Sequence, residues 1–142
     1  YSLLVWDDNF QDVYDIMKKF VSWIREAEYT PFGQVFDVGN ICHRAISRYQ
    51  LLGDIKHCGG DKVDENGNGS LMRIIPICLY VYEKQKDEGM SDEEAIKHIH
   101  EVSALTHAHV RSLIACGLYY SHLFQIQCYL NFRQCEKLIS NT

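Results

Sequence analysis

The sequence predicts an all-α fold, and two observations predict it. Apolar residues recur at offsets 0, 3, 4, 7, 8 and 11 in three separate stretches, which marks one buried face on a 3.6-residue helix. No stretch sustains the alternation of apolar and polar residues, closed by hairpin turns, that strands require. The 142 residues, 46% hydrophobic and 23% charged with nine Gly and two Pro, suit one core and exclude a disordered or low-complexity chain.

The elements follow in order. Asp8 and Gln11 form a capping-box-like start, and Val13, Ile16, Met17, Phe20, Val21 and Ile24 carry the first stripe. Residues 27–36, AEYTPFGQVF, are a loop punctuated by Pro and Gly. Val38, Ile41, Cys42, Ala45, Ile46 and Tyr49 carry the second stripe, with Gly53 as its stop. Residues 53–70, GDIKHCGGDKVDENGNGS, hold five of the nine glycines and no apolar period; a loop this long in a helical domain is usually functional. Leu71, Ile74, Ile75, Cys78, Leu79 and Tyr82 carry the third stripe, and Pro76 near its start invites a kink. Ser91 and Glu94 make a capping box ahead of Ile96, Ile99 and Val102. A last helix carries Val110, Leu113, Ile114, Gly117, Leu118, Ser121 and Phe124.

Charge and composition narrow the function. A net charge of −5 with scattered Lys and Arg argues against a nucleic-acid partner. The longest apolar run, LMRIIPICLYVY, is cut by Arg73 and Pro76, so no membrane span is expected. Six cysteines without a CxxC pair point to reduced thiols and a cytoplasmic setting.

Four places are candidates for chemistry. Asn66-Gly67-Asn68-Gly69-Ser70 precedes a helix, where glycines let backbone amides converge and the helix end favours a phosphate; a plain turn capped by Ser70 is the alternative. Asp37 and Asn40 flank Gly39 at the start of the second helix. Asp37 is a general acid or base, a holder of a sugar hydroxyl, or simply a helix N-cap. Thr106-His107-Ala108-His109 lies between two helices, and Thr106 as N-cap would set both imidazoles in a first turn. Residues two apart do not share a helical face, so His107 with His109 is a poor metal pair, as is His98 with His100. Asp7-Asp8 reads as a turn and cap.

Taken together, YTPFGQVFDVGN, HRAISRY, CGG, NGNGSLMRIIP and LTHAH, in that order, resemble the ADP-ribosylglycohydrolases, the family that includes the dinitrogenase-reductase-activating glycohydrolase. The likeness runs from about Tyr1 to Leu130. It implies an all-α fold that hydrolyses the bond between ADP-ribose and a modified protein side chain, with Mg²⁺ ions beside the distal ribose. It implies that the loop from Gly67 to Met72, with Asn68, Gly69 and Ser70, holds the diphosphate through backbone amides. By the same resemblance Asp37 lies near the ribose that carries the scissile bond, Gly39 and Asn40 lie beside it, and His107 contributes to the substrate cleft.

The departures set further expectations. The family's metal ligands come from a Thr/Ser-Asp-Asp motif near its N-terminus and an Asp-x-Asp-Thr/Ser motif near its C-terminus, and neither motif is in this sequence. Ile41-Cys42-His43 replaces the commoner Thr-Thr-Arg, and His43 faces away from the apolar stripe as a solvated residue. Residues 1–142 are therefore expected to be one domain, the central portion of the family's fold, with no metal ligand of its own. A catalytically inactive relative that binds ADP-ribose is the alternative. Helix faces left uncovered would favour self-association.

Overall fold

The computed structural model describes the backbone of residues 13–140 and the side chains of residues 13–126. Asp7-Asp8 and the Asp8–Gln11 cap lie outside the described residues. Among these residues the order is α1 (Val13–Glu26), α2 (Asn40–Leu52), a 3-10 turn (Val63–Glu65), α3 (Gly69–Met72), α4 (Ile75–Glu88), α5 (Asp92–Ala104) and α6 (Val110–Ser140). The fold is all-α. The one strand-like feature described is an isolated parallel bridge between Gly60 and His107.

Local signals in the sequence set several of the ends. Gly53 closes α2 in the left-handed region (φ 65°), its amide returning to the Tyr49 carbonyl at 2.8 Å. The Ser91–Glu94 capping box opens α5, with Glu94 N donating to Ser91 Oγ at 3.2 Å and Ser91 N to Glu94 Oε2 at 3.0 Å.

Three expectations need correction. The third stripe does not belong to one helix: α3 is a single turn, the chain breaks at Arg73, and α4 starts afresh with Pro76 in its first turn. Pro76 has no amide to give back to the preceding turn, so the helix restarts there instead of kinking. The restart shifts the phase, and Ile74, Ile77, Cys78 and Val81 face the core while Ile75 and Leu79 are exposed. Along α6, Ser112, Cys116 and Tyr120 are buried, whereas Val110, Ile114 and Leu118 are exposed. Finally, Thr106 is not a helix cap. It is buried ahead of α6, and His109 Nδ1 accepts from Arg111 N at 3.2 Å at the helix start.

The core joins α1 (Ile16, Met17, Phe20) and α2 (Ile46) to α4 (Ile77, Cys78, Val81), α5 (Ala95, Ile99, Val102) and α6 (Cys116, Tyr120). Helix α5 packs on both α4 and α6, and the turn α3 sits against α5 and α6. Gly117 lets α6 approach α5 closely, since a Cβ there would stand 3.1 Å from His100 Nε2. Among the described residues no helix is long and apolar enough to cross a membrane.

Candidate functional site

The long loop from Gly53 to Asn68 is a strap bonded at both sides. Its first part turns on Asp54, which accepts from Lys56 N at 2.8 Å, and buries Ile55 and Cys58. Cys58 Sγ donates to the carbonyls of Ile55 and Leu105 at 3.1 and 3.2 Å, and burial raises its thiol pKa. The Gly60 amide donates to Thr106 O at 2.9 Å, and Ala108 N returns to Gly60 O at 2.7 Å. That pairing requires glycines: a Cβ on Gly59 would lie 1.9 Å from Ala104 O, and one on Gly60 would lie 2.7 Å from Glu65 Cβ. Buried Glu65 bonds to Arg48 and lies 3.7 Å from Arg44, while Arg48 Nη1 also donates to Cys58 O at 3.2 Å. The strap therefore fixes α2 against the junction of α5 and α6.

These restraints frame a cavity of about 740 Å³, a size that suits a nucleotide-like ligand. One wall comes from Phe20 and Trp23 of α1, another from Asn40, Ile41 and Cys42 at the start of α2. The 29–37 loop forms the rim, and Gly67, Asn68, Gly69, Met72 and Arg73 face it with Thr106 and His107.

Of the eight residues singled out in the sequence, the structure brings seven to this one cavity: Asp37, Gly39, Asn40, Asn68, Gly69, Met72 and His107. Ser70 is not in the lining; it is buried, with Oγ 3.7 Å from Cys116 Sγ. His43 is exposed, as expected. Asp37 does not cap α2, because Gly39 holds the cap position in extended conformation and no side chain bonds to the first turn. Asp37 instead adopts φ 51°, a left-handed conformation that is uncommon for a residue with a side chain. The helix that follows Asn66–Ser70 is only the four residues of α3, so its dipole adds little, and any anion held there relies on the local amides.

His107 is the floor of the cavity and is 1% exposed. Its Nδ1 pairs with Thr106 Oγ1 at 2.8 Å. Burial first, and then the positive charge of Arg73, push its pKa down to about 4, against the opposing pull of Glu65. The imidazole is therefore neutral at pH 7. Gly69 packs onto this ring, since a Cβ on Gly69 would stand 2.9 Å from His107 Cε1 and 3.1 Å from Cys42 Sγ. A side chain at position 69 would thus displace His107 as well as crowd the loop.

Sequence reading missed Glu65, Arg48 and Arg73. An acidic residue in a polar loop looks solvated, and the partner that buries Glu65 stands on another element. Arg73 was visible only as a charge interrupting an apolar run.

The fold and cavity define a class: an all-α protein with a nucleotide-sized cleft closed by a glycine-rich strap. The family model described as ADP-ribosylglycohydrolase matches residues 2–129, and the chain belongs to that family. Neither the curated proteins nor the solved structures gave a significant match. The family is generally metal-dependent. Among the described residues, no group of three or more His, Cys, Asp or Glu is placed to hold a metal ion. The cavity's carboxylates, Asp37 and Asp64, do not form such a group. The described residues therefore do not fit a Mg²⁺ site.

Proposed function

We propose that this chain forms the ADP-ribose-binding part of an ADP-ribosylglycohydrolase, which hydrolyses the glycosidic bond between ADP-ribose and a modified protein side chain or related conjugate. The observation that carries this reading is the convergence of Asp37, Gly39, Asn40, Asn68, Gly69, Met72 and His107 on one cavity. Their distance in sequence makes that convergence a property of the fold.

In this reading the diphosphate lies over the Gly67–Met72 turn, against the amides of Gly67, Asn68 and Gly69; Ser70 is buried behind the turn and the Met72 amide is held by Asn68 O at 3.0 Å. Gly39 and Asn40 flank the distal ribose. Asp37, at the exposed rim and in a strained backbone conformation, is the catalytic candidate, acting on the ribose or on the attacking water. Neutral His107 supplies a rigid, uncharged floor that does not compete with the ligand's own charge. Mg²⁺ is the cofactor expected for the whole family domain. The described residues do not form its site.

The alternative reading is an ADP-ribose-binding relative without turnover. The state of Cys42, Cys58, Cys78 and Cys116, all free thiols, supports a reducing, cytoplasmic setting. The exposed Val110, Ile114 and Leu118 of α6 support self-association, and the net charge of −5 speaks against a nucleic-acid partner.

The test is a calorimetric titration with ADP-ribose, with and without Mg²⁺, run beside a turnover assay on ADP-ribosylated protein. Binding in both conditions supports the ligand assignment, and turnover then separates the enzyme from its inactive relative. Binding that requires Mg²⁺ would place metal ligands within this chain and overturn a cavity that takes ADP-ribose without one. The absence of binding in either condition would overturn the ADP-ribose assignment.

A further inference from the structure

Arg73 carries the buried side-chain nitrogens that lack a partner among the described residues: both Nε and Nη1 are closed off from solvent and make no hydrogen bond. The break between α3 and α4 puts this residue in the cavity wall, directly after the glycine-rich turn. Its Nη2 donates to Val102 O at 3.0 Å, near the end of α5. Its guanidinium also lies 5.1 Å from the centre of the Phe20 ring. The titratable groups near it are the thiols Cys42 and Cys116 and the imidazole of His107, on which its charge acts. Burial lowers its pKa, but a guanidinium starts so high that it stays charged.

A half-buried cation with two donors closed off from solvent and left idle is costly. If capping α5 were its whole purpose, Lys or a neutral donor would serve Val102 O without leaving nitrogens idle. What distinguishes this position is the cavity beside it. A fixed charge in a low-dielectric wall projects its field into the cleft without needing to touch the ligand and without reorganising when the ligand arrives.

We propose that Arg73 is the charge selector of this cavity, making it prefer ligands that carry a diphosphate over neutral nucleosides of similar shape. The proposal rests on the ADP-ribose reading for the identity of the natural ligand. Arg73 is a positioning residue in this role. It acts through its field on where the diphosphate settles over the Gly67–Met72 turn, and not on the scissile bond.

The experiment titrates ADP-ribose, inorganic pyrophosphate and adenosine into the wild-type chain and into R73M and R73K. R73M should lose roughly tenfold or more in affinity for ADP-ribose and pyrophosphate, with adenosine changing by less than about twofold. R73K keeps the charge and should keep the preference for the charged ligands. Equal losses for charged and neutral ligands would mark Arg73 as a structural cap of α5 and overturn the proposal, and so would an R73M protein that binds pyrophosphate as the wild type does. Should R73M fail to fold, R73K and the wild type still decide. Pyrophosphate should raise the melting temperature of both while adenosine at equal concentration does not, and no rise with pyrophosphate would overturn the proposal. A wild type that takes pyrophosphate but not ADP-ribose would sink the ligand assignment alone.

Discussion

His107 couples the site to the stability of the protein through one proton. Its imidazole is held neutral, with a pKa of about 4 against an ordinary value of 6.5, because it is buried beside a guanidinium. Between those two values the unfolded chain binds a proton at this residue that the native chain refuses. The contribution is therefore fully present above about pH 6.5 and is lost as pH falls toward 4. Thermal melts at pH 7, 5.5 and 4.5 should show wild type losing more stability than H107Q, which has no proton to take up. Parallel pH profiles for the two proteins would contradict a buried neutral imidazole. Asp37 makes a different demand, because its backbone sits at φ 51°. Asn accepts that conformation nearly as readily as Asp, so D37N tests the carboxylate without disturbing the loop. In a chain that turns over, D37N should cut the rate about a hundredfold or more while ADP-ribose affinity moves less than about threefold. Equal losses in rate and affinity would make Asp37 a structural or binding residue.

At the level of the elements, the strap from Gly53 to Asn68 depends on glycine at one contact above all. A Cβ on Gly59 would lie 1.9 Å from the Ala104 carbonyl oxygen, which is helix backbone and has no room to retreat. G59A should therefore destabilise the protein by about 3 kcal/mol or more in denaturant titrations. G39A, with nothing within 4 Å of its Cβ, should cost less than about 1 kcal/mol. Comparable costs would mean that the strap does not press on α5 as described. The helix ends were the legible part of the sequence, because Gly53, Ser91 and Glu94 act on their immediate neighbours. The buried faces of α4 and α6 were not fully legible. Periodicity places a face only to within about one residue's rotation, and the restart at Pro76 reset the phase of α4. On α6 the residues turned inward include Ser112 and Cys116, small side chains that permit close packing but carry no strong apolar signal. The candidate site followed the same division. The glycine turn and the Thr-His pair were visible as local motifs, whereas Glu65 and Arg73 matter through residues 17 and 29 positions away.

For the molecule as a whole, the cavity is where the separate parts meet. Its lining draws on α1, the 29–37 loop, α2, the 64–73 segment and the junction between α5 and α6. A ligand seated there binds all of them at once and binds none of them in the unfolded chain, so it must stabilise the native state by mass action. At a hundred times its dissociation constant, ADP-ribose should add about 2.7 kcal/mol, which for a domain of this size raises the melting temperature by roughly 5–10 °C. Two signals test whether the gain is shared. Far-UV circular dichroism follows all the helices, while the fluorescence of Trp23, one of the two tryptophans, reports from the cavity wall. Both midpoints should move upward together and by the same amount. A fluorescence midpoint that rises while the helical one stays would mean that the ligand steadies α1 at the rim without joining the strap and α5 to it, and the cavity would then be a local pocket and not the meeting point of the fold.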